Sequence, residues 1–105
     1  MKYARTKERI FICKFPENCR TIKDNEIIAK ADTIEELCDE FVVNSKDENE
    51  PYWQYCNFDT LEEAKKSYDA FKHNNHDAFV FGAIWTDRGL LFVAKMNDKG
   101  EMELL

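Results

Sequence analysis

The stretch "AFVFGAIWTDRGLLFVAKMNDKGEMELL", Ala78–Leu105, decides the fold of this 105-residue chain. It is rich in apolar, β-branched and aromatic residues, which is typical of strands. Two breaks interrupt it, "TDRG" at Thr86–Gly89 and "NDKG" at Asn97–Gly100, and both read acceptor, Asp, basic residue, Gly. A type I turn followed by Gly at positive φ forms a hairpin with a bulge. The sequence therefore predicts a three-stranded antiparallel meander.

Upstream of this tail, the sequence predicts a strand followed by an amphipathic helix twice. The first strand is "EIIAKA", Glu26–Ala31, and the second is "YWQYCNF", Tyr52–Phe58. After each strand, apolar residues recur at the spacing of one helix face. The first helix would bury Ile34, Leu37, Cys38, Phe41 and Val42, and the second Leu61, Ala64, Tyr68 and Phe71. We expect the second helix to end at His73–Asp77, where Asn74 or Asn75 can adopt a left-handed conformation.

Both predicted helices begin with the same motif, "ADTIEEL" at Ala31–Leu37 and "FDTLEEA" at Phe58–Ala64. A duplicated carboxylate site would need acidic groups that converge on one pocket. Adjacent Glu residues in a first helical turn instead point about 100° apart. The S/T-x-x-E spacing is that of a capping box, which favours a structural role. The capping pairs would be Thr33 with Glu36 and Thr60 with Glu63.

A further strand, Glu8–Phe15, and a polar loop, Asn44–Pro51, complete the predicted order β-β-α-β-α-β-β-β. A chain of 105 residues is long enough to form one hydrophobic core without disulfides. The sequence thus predicts a single α+β domain over residues 1–105. We expect a mainly antiparallel sheet packed against two amphipathic helices.

Charge is distributed unevenly along the chain, whose formal net charge is −6. Residues 1–24 carry seven Lys/Arg and three Asp/Glu, whereas residues 25–50 carry two Lys/Arg and nine Asp/Glu. Broad binding to a phosphate backbone needs a clustered positive surface, so the acidic body argues against it. The basic arm "KYARTKER", Lys2–Arg9, keeps a narrower nucleic-acid hypothesis open, although a solvated edge strand is the favoured interpretation of this segment.

The sequence predicts a cytoplasmic protein without a membrane contact. No apolar run approaches the ~18 residues of a membrane span, and the start lacks the apolar core of a signal peptide. The four cysteines, Cys13, Cys19, Cys38 and Cys56, stand at irregular spacings. They are expected to be free thiols, as in a reducing compartment.

No motif in the sequence indicates catalysis or a cofactor. The three glycines, Gly82, Gly89 and Gly100, cannot form a phosphate-binding G-x-G-x-x-G motif or a P-loop. His73 and His76 have the spacing of a metal pair on a helix, but they lie where the helix should end and have no third ligand at firm spacing. We therefore predict no catalytic residue, metal or cofactor, and an enzyme that uses Cys and His is the least favoured function.

Two groups of residues could contact a partner. In "YWQYCNF", Trp53 and Tyr55 share one strand face, while Tyr52, Gln54, Cys56 and Phe58 share the other. Two aromatic faces exceed what a small core requires, so one face could be exposed for a partner. The outer face of the first predicted helix is purely acidic and could imitate a phosphate backbone. The candidate partner-binding residues are Glu35, Glu36, Asp39, Glu40, Trp53 and Tyr55, and Asp32, Asp47, Glu48 and Glu50 extend the acidic set.

The stretches "GAIWTDRGLLFVAKMNDKGEMELL" and "IIAKADTIEELCDEFVV" resemble short uncharacterised proteins encoded by phages and prophages of Gram-positive bacteria. The resemblance covers well under half of the chain. It implies a small, acidic, intracellular accessory protein made during infection or lysogeny. It supplies no catalytic residue.

Three functional hypotheses follow. The first is binding to a host or phage protein, with acidic inhibition of a nucleic-acid-handling protein as its specific form. The second is nucleic-acid binding through the basic arm together with Trp53 and Tyr55. The third is the Cys–His enzyme. A homodimer formed through the last strand, which ends in "MELL", is compatible with each of them.

Overall fold

The computed structural model describes residues 3–6, 12–14 and 27–105. The elements in chain order are β1 Tyr3–Thr6, β2 Ile12–Lys14, β3 Ile27–Ala31, a 3₁₀ turn at Glu35–Leu37, β4 Glu40–Lys46, β5 Gln54–Phe58, α1 Leu61–His73, β6 Asp77–Thr86, β7 Gly89–Met96 and β8 Met102–Leu104. The strands form two antiparallel sheets with the orders β2-β1-β3 and β5-β4-β6-β7-β8. One α-helix and mostly antiparallel sheet therefore make up the described chain, which fits the α+β class.

The predicted C-terminal meander is confirmed. Strands β6, β7 and β8 pair antiparallel in sequence order. Gly89 and Gly100 end the two turns at φ values of 111° and 80°, which only glycine adopts without strain. The first residue of each turn accepts backbone hydrogen bonds: Thr86 Oγ1 from Arg88 N at 3.0 Å and Asn97 Oδ1 from Lys99 N at 2.9 Å. The repeated acceptor-Asp-basic-Gly pattern therefore specifies both turns.

The first predicted helix is wrong. Its start forms only the 3₁₀ turn, and the residues that should continue it form β4 instead. Phe41, Val42 and Val43 are 3%, 1% and 0% exposed, so three consecutive residues are buried. A helix with one apolar face cannot bury three residues in a row, whereas a central strand covered on both faces can. The predicted element order and the count of two helices are corrected accordingly.

The second predicted helix is present as α1, with Leu61 and Ala64 buried. Its N-cap is Thr60, whose Oγ1 accepts from the Glu63 backbone N–H at 3.2 Å. Asn75, just after the helix, has a φ of 62°. In the first copy of the motif, only the reverse half of the capping box forms, because Thr33 N donates to Glu36 Oε2 at 3.3 Å. Ile34 occupies the N-cap of the 3₁₀ turn and makes no side-chain cap.

The N-terminal predictions are tested only in part. Strand β2 lies inside the predicted strand Glu8–Phe15, and the rest of that strand falls outside the described residues. Within the predicted basic arm, Tyr3–Thr6 forms β1, which pairs with a strand on each side. The interpretation of the arm as an edge strand is therefore wrong for these four residues. The remaining residues of the arm lie outside the described part of the chain.

The core consists of two neighbouring clusters. The first joins the sheets and contains Ile34, Leu37, Ile84, Val93 and Ala94. The second lies between α1 and the five-stranded sheet and contains Phe41, Val43, Leu61, Ala64 and Val80. Cys38 and Met102 pack against both. A Cβ at Gly82 would lie 2.7 Å from Cys38 Sγ, so glycine is what allows this close approach. No helix within the described residues has the length and apolar character needed to cross a membrane.

Candidate binding surface

The five-stranded sheet has two unlike faces. One face packs on α1 through Phe41, Val43 and Val80. Because side chains alternate along a strand, the residues between these point to the opposite face. The cross-strand register places Val42 opposite Phe81 and Asn44 opposite both Phe79 and Tyr55 on that side. Within the described chain, this second face carries no helix.

Aromatic side chains cover the face opposite α1. We call it the aromatic face and define it as Trp53, Tyr55, Phe79, Phe81 and Phe92. The rings of Trp53 and Phe79 lie with their centroids 5.7 Å apart, and those of Phe81 and Phe92 stack at 4.9 Å. Trp53, Tyr55 and Phe79 are 38%, 61% and 38% exposed. Three large rings therefore remain accessible to solvent side by side.

The residues beneath the rings are buried from solvent. Val42 and Ala83 on the same face are 1% and 0% exposed. Asn44 Oδ1 is also buried, and it has no hydrogen-bond partner in the described chain. Lys95 extends over the face, with its Nζ 4.4 Å from the centroid of Phe79. An exposed aromatic surface above a dry, preordered layer is typical of a binding site.

Acidic residues border the aromatic face. We call them the acidic rim and define it as Glu40, Glu48, Glu50 and Asp77. Glu40 Oε2 accepts from Asn57 Nδ2 at 2.8 Å, which fixes it beside β5. Asp77 lies opposite Lys46 at the start of β6, and the other two rim residues, Glu48 and Glu50, lie in the connection that leads from β4 to Trp53. Two lysines lie among these four carboxylates, Lys46 opposite Asp77 and Lys95 over the Phe79 ring, so the described surroundings of the aromatic face are net negative.

Only some of the candidate residues from the sequence lie together in the structure. Trp53 and Tyr55 lie on the aromatic face, and Glu40 lies at its rim. Glu35 and Glu36 are exposed on the 3₁₀ turn that precedes β4, and neither belongs to the aromatic face or its rim. Asp39 is engaged in the fold, since its Oδ1 accepts from Arg5 Nη1 at 2.7 Å and its Oδ2 accepts from Trp85 N at 2.7 Å. The four carboxylates therefore do not form the acidic helix face that the sequence suggested.

Three aromatic-face residues, Phe79, Phe81 and Phe92, were not among the sequence candidates. The signal for two of them is present in "DAFVFGA", where phenylalanine alternates with small or β-branched residues. In a strand, this alternation places large rings on one face and tightly packed side chains on the other. This alternation predicts a strand, but the sequence alone does not show which face of that strand the helix covers.

The other candidate groups do not assemble into a reactive site. His73 is exposed at the end of α1, while His76 packs against the Phe71 ring at 5.5 Å and lies 3.8 Å from Asp47. No cluster of three or more His, Cys, Asp or Glu with the geometry of a metal site occurs among the described residues. Burial, followed by the nearby charge of Asp39, raises the pKa of the Cys38 thiol to about 12. Cys38 is thus a protonated packing residue at neutral pH.

Comparison of the chain with family models, with characterised proteins and with solved structures finds no match in any of the three.

Proposed function

We propose that this is a non-enzymatic accessory protein that binds another protein through the aromatic face. The observation that carries the proposal is the exposure of Trp53, Tyr55 and Phe79 together on the side of the sheet opposite α1. Aromatic residues supply much of the binding energy of protein interfaces because they bury a large area at small entropic cost. The contact between the Trp53 and Phe79 rings holds these two side chains in place before the partner arrives.

The charges favour a protein over a nucleic acid as the partner. Aromatic rings on a sheet can stack bases, but single-stranded nucleic acids also need a positive groove along their backbone. Here the acidic rim borders the rings, and the whole chain carries a net charge of −6. In its specific form, the proposal is a cytoplasmic, phage- or prophage-encoded inhibitor of a nucleic-acid-handling protein. The excess of carboxylates supports this form, because such proteins expose basic clefts.

Two tryptophans provide a matched test. Trp53 is 38% exposed on the aromatic face. Trp85 is 53% exposed on the same side of the sheet, but it lies at the other end of β6 from Phe79 and is not one of the three rings that carry the proposal. We expect the tagged wild-type protein to capture a specific protein from a bacterial lysate. Trp53→Ser should reduce this capture at least about tenfold, in line with the loss of an interface hot spot. Trp85→Ser should leave it within about twofold. Quantitative mass spectrometry of the captured proteins measures both effects.

The comparison separates the alternatives. Equal capture by the wild type and by Trp53→Ser would rule out the aromatic face as the binding surface. A mobility shift of single-stranded DNA or RNA at low salt, lost in Trp53→Ser and weakened steeply by added salt, would instead support the nucleic-acid hypothesis. Circular dichroism spectra of both variants must match the wild type, so that lost capture reports the surface and not the fold.

A further inference from the structure

We propose that β5 accepts a basic segment of the partner protein as an additional antiparallel or parallel strand. The inference rests on the proposed function and names the chemistry of the partner. In this mode, backbone hydrogen bonds supply affinity, and alternate side chains supply selectivity. Three observations support it: the state of the β5 edge, the side chains on both sides of that edge, and the charge around it.

Strand β5 is the less protected edge of the five-stranded sheet. It pairs with β4 in regular register over five residues, and β4 is its only neighbour among the described strands. Its sequence, "QYCNF", contains no charged residue, proline or glycine. The opposite edge, β8, is three residues long and carries Glu103. Proteins usually shield exposed edges with charge, proline or bulges, so an unshielded regular edge is ready to pair.

The side chains of β5 offer contacts on both faces of the sheet. Tyr55 and Asn57 are exposed on the aromatic face, while Cys56 and Phe58 are half-buried toward α1. A strand added at the usual spacing of about 4.8 Å would place alternate side chains beside Tyr55. The rest of the aromatic face then continues the contact from Tyr55 toward Phe79. The edge and the aromatic face thus form one continuous surface.

Charge complementarity indicates a basic segment. Glu40 is tied to β5 through Asn57, and Glu48 and Glu50 precede the strand in the chain. Asp59 follows the strand directly and is exposed. A second copy of this chain would bring the same carboxylates against each other, which costs free energy. In a partner segment with Lys or Arg between apolar residues, the basic side chains can pair with the acidic rim and the apolar side chains can contact the rings.

The probe is an eight-residue Lys-Val-Lys-Val-Lys-Val-Lys-Val peptide with blocked ends, titrated into the 15N-labelled protein. We expect slowed amide hydrogen exchange at residues 54–58 and a measurable dissociation constant. A control peptide of the same sequence is methylated at every backbone nitrogen, so it cannot donate a hydrogen bond from either edge. It should bind at least about tenfold more weakly than the parent, because it cannot donate to β5. A Glu-Val peptide should not bind.

Matched protein variants place the site. Gln54→Lys adds a positive charge at the edge, and Thr33→Lys adds the same charge at an exposed position before the 3₁₀ turn, outside the aromatic face and the acidic rim. We expect Gln54→Lys to weaken binding of the Lys-Val peptide at least about threefold more than Thr33→Lys does. Absence of binding at millimolar peptide, equal binding of the methylated and unmethylated peptides, or equal effects of the two lysines would overturn the inference. If lysate capture still depends on Trp53 in that case, the proposed function stands and only the mode of binding is wrong.

Discussion

Asp39 is the residue at which the two sheets are held together. Its carboxylate accepts from Arg5 on β1 and from the backbone of Trp85 on β6, and its own backbone N–H donates to Ala83 O at 2.8 Å. The hydrogen bond from Arg5, reinforced by the one from Trp85 N, lowers the pKa of Asp39, against the opposing effect of partial burial. The folded protein therefore favours the charged form.

Asp39→Asn should lower the free energy of unfolding by roughly 1–2 kcal/mol at pH 7, because the bonds that replace the charged ones are weaker. A lowered folded-state pKa means that this stabilisation is complete above the unfolded value and is lost as the pH falls through the folded value. The difference between wild type and Asp39→Asn should therefore shrink below about pH 4. Urea unfolding between pH 2.5 and 7 measures it.

Asp87→Asn is the control for this measurement, because Asp87 is exposed in the turn between β6 and β7. It removes the same charge from the chain and should change stability by less than about 0.5 kcal/mol. A gap between wild type and Asp39→Asn that stayed constant down to pH 2.5 would contradict an ionic role for this carboxylate.

At the scale of elements, the two copies of the Asp-Thr-apolar-Glu-Glu motif have different outcomes. In the second copy, Thr60 caps a helix of 13 residues. In the first copy, a 3₁₀ turn of three residues leads directly into β4. The motif specifies a turn start in both cases, but the residues after it decide whether a helix continues. "LCDEFVVNS" contains two consecutive β-branched residues, Val42 and Val43, whereas "AKKSYDAFK" consists mainly of helix formers.

Thr60→Ala should therefore destabilise the protein more than Thr33→Ala. The first variant removes an acceptor for the Glu63 backbone N–H and should cost about 1 kcal/mol. The second keeps the bond from the Thr33 backbone N–H to Glu36, so we expect less than about half of that loss. Urea midpoints at fixed slope measure both values. Equal losses would mean that Thr33 has a capping role that the 3₁₀ geometry does not provide.

The sequence predicts the elements whose signals are local and misses the one that depends on the sheet. Gly89 and Gly100 specify their turns through a backbone angle, and Thr60 specifies the start of α1. None of these three signals depends on residues elsewhere in the chain. The apolar residues from Ile34 to Val42 fit a helical period, yet the same residues fill a 3₁₀ turn and a central strand. Only the pairing of β4 with β5 and β6 distinguishes these outcomes. The pairing joins residues far apart in sequence.

At the scale of the whole molecule, the candidate surface could be anticipated in part. The surplus of aromatic residues in "YWQYCNF" indicates that some rings remain outside the core. That Phe79 and Phe81 join them depends on which face of the sheet α1 covers. The acidic helix that was expected to imitate a phosphate backbone depends on a helix that the structure replaces with a strand. What remains of the acidic signal is the rim around the aromatic face.

The two core clusters should unfold as one cooperative unit. Cys38 and Met102 pack against both clusters, so neither can lose its packing without disturbing the other. Trp85 directly follows Ile84 of the first cluster in the chain, and Trp53 contacts Phe79, which directly precedes Val80 of the second cluster and lies on the other face of the sheet. The single-tryptophan variants Trp53→Phe and Trp85→Phe therefore report on opposite parts of the molecule. In each variant, the tryptophan fluorescence and the far-ultraviolet circular dichroism should give the same urea midpoint.

Met102→Ala, added to each single-tryptophan variant, provides the sharper test. Truncation of this partly buried side chain should lower the free energy of unfolding by about 2 kcal/mol or more. Because Met102 contacts both clusters, the midpoints reported by Trp53 and by Trp85 should fall by the same amount. A shift seen by only one tryptophan, or fluorescence and circular dichroism transitions that separate, would show that the clusters unfold independently. The part of the fold that carries the aromatic face would then unfold while the three-stranded sheet that contains β1 stays folded.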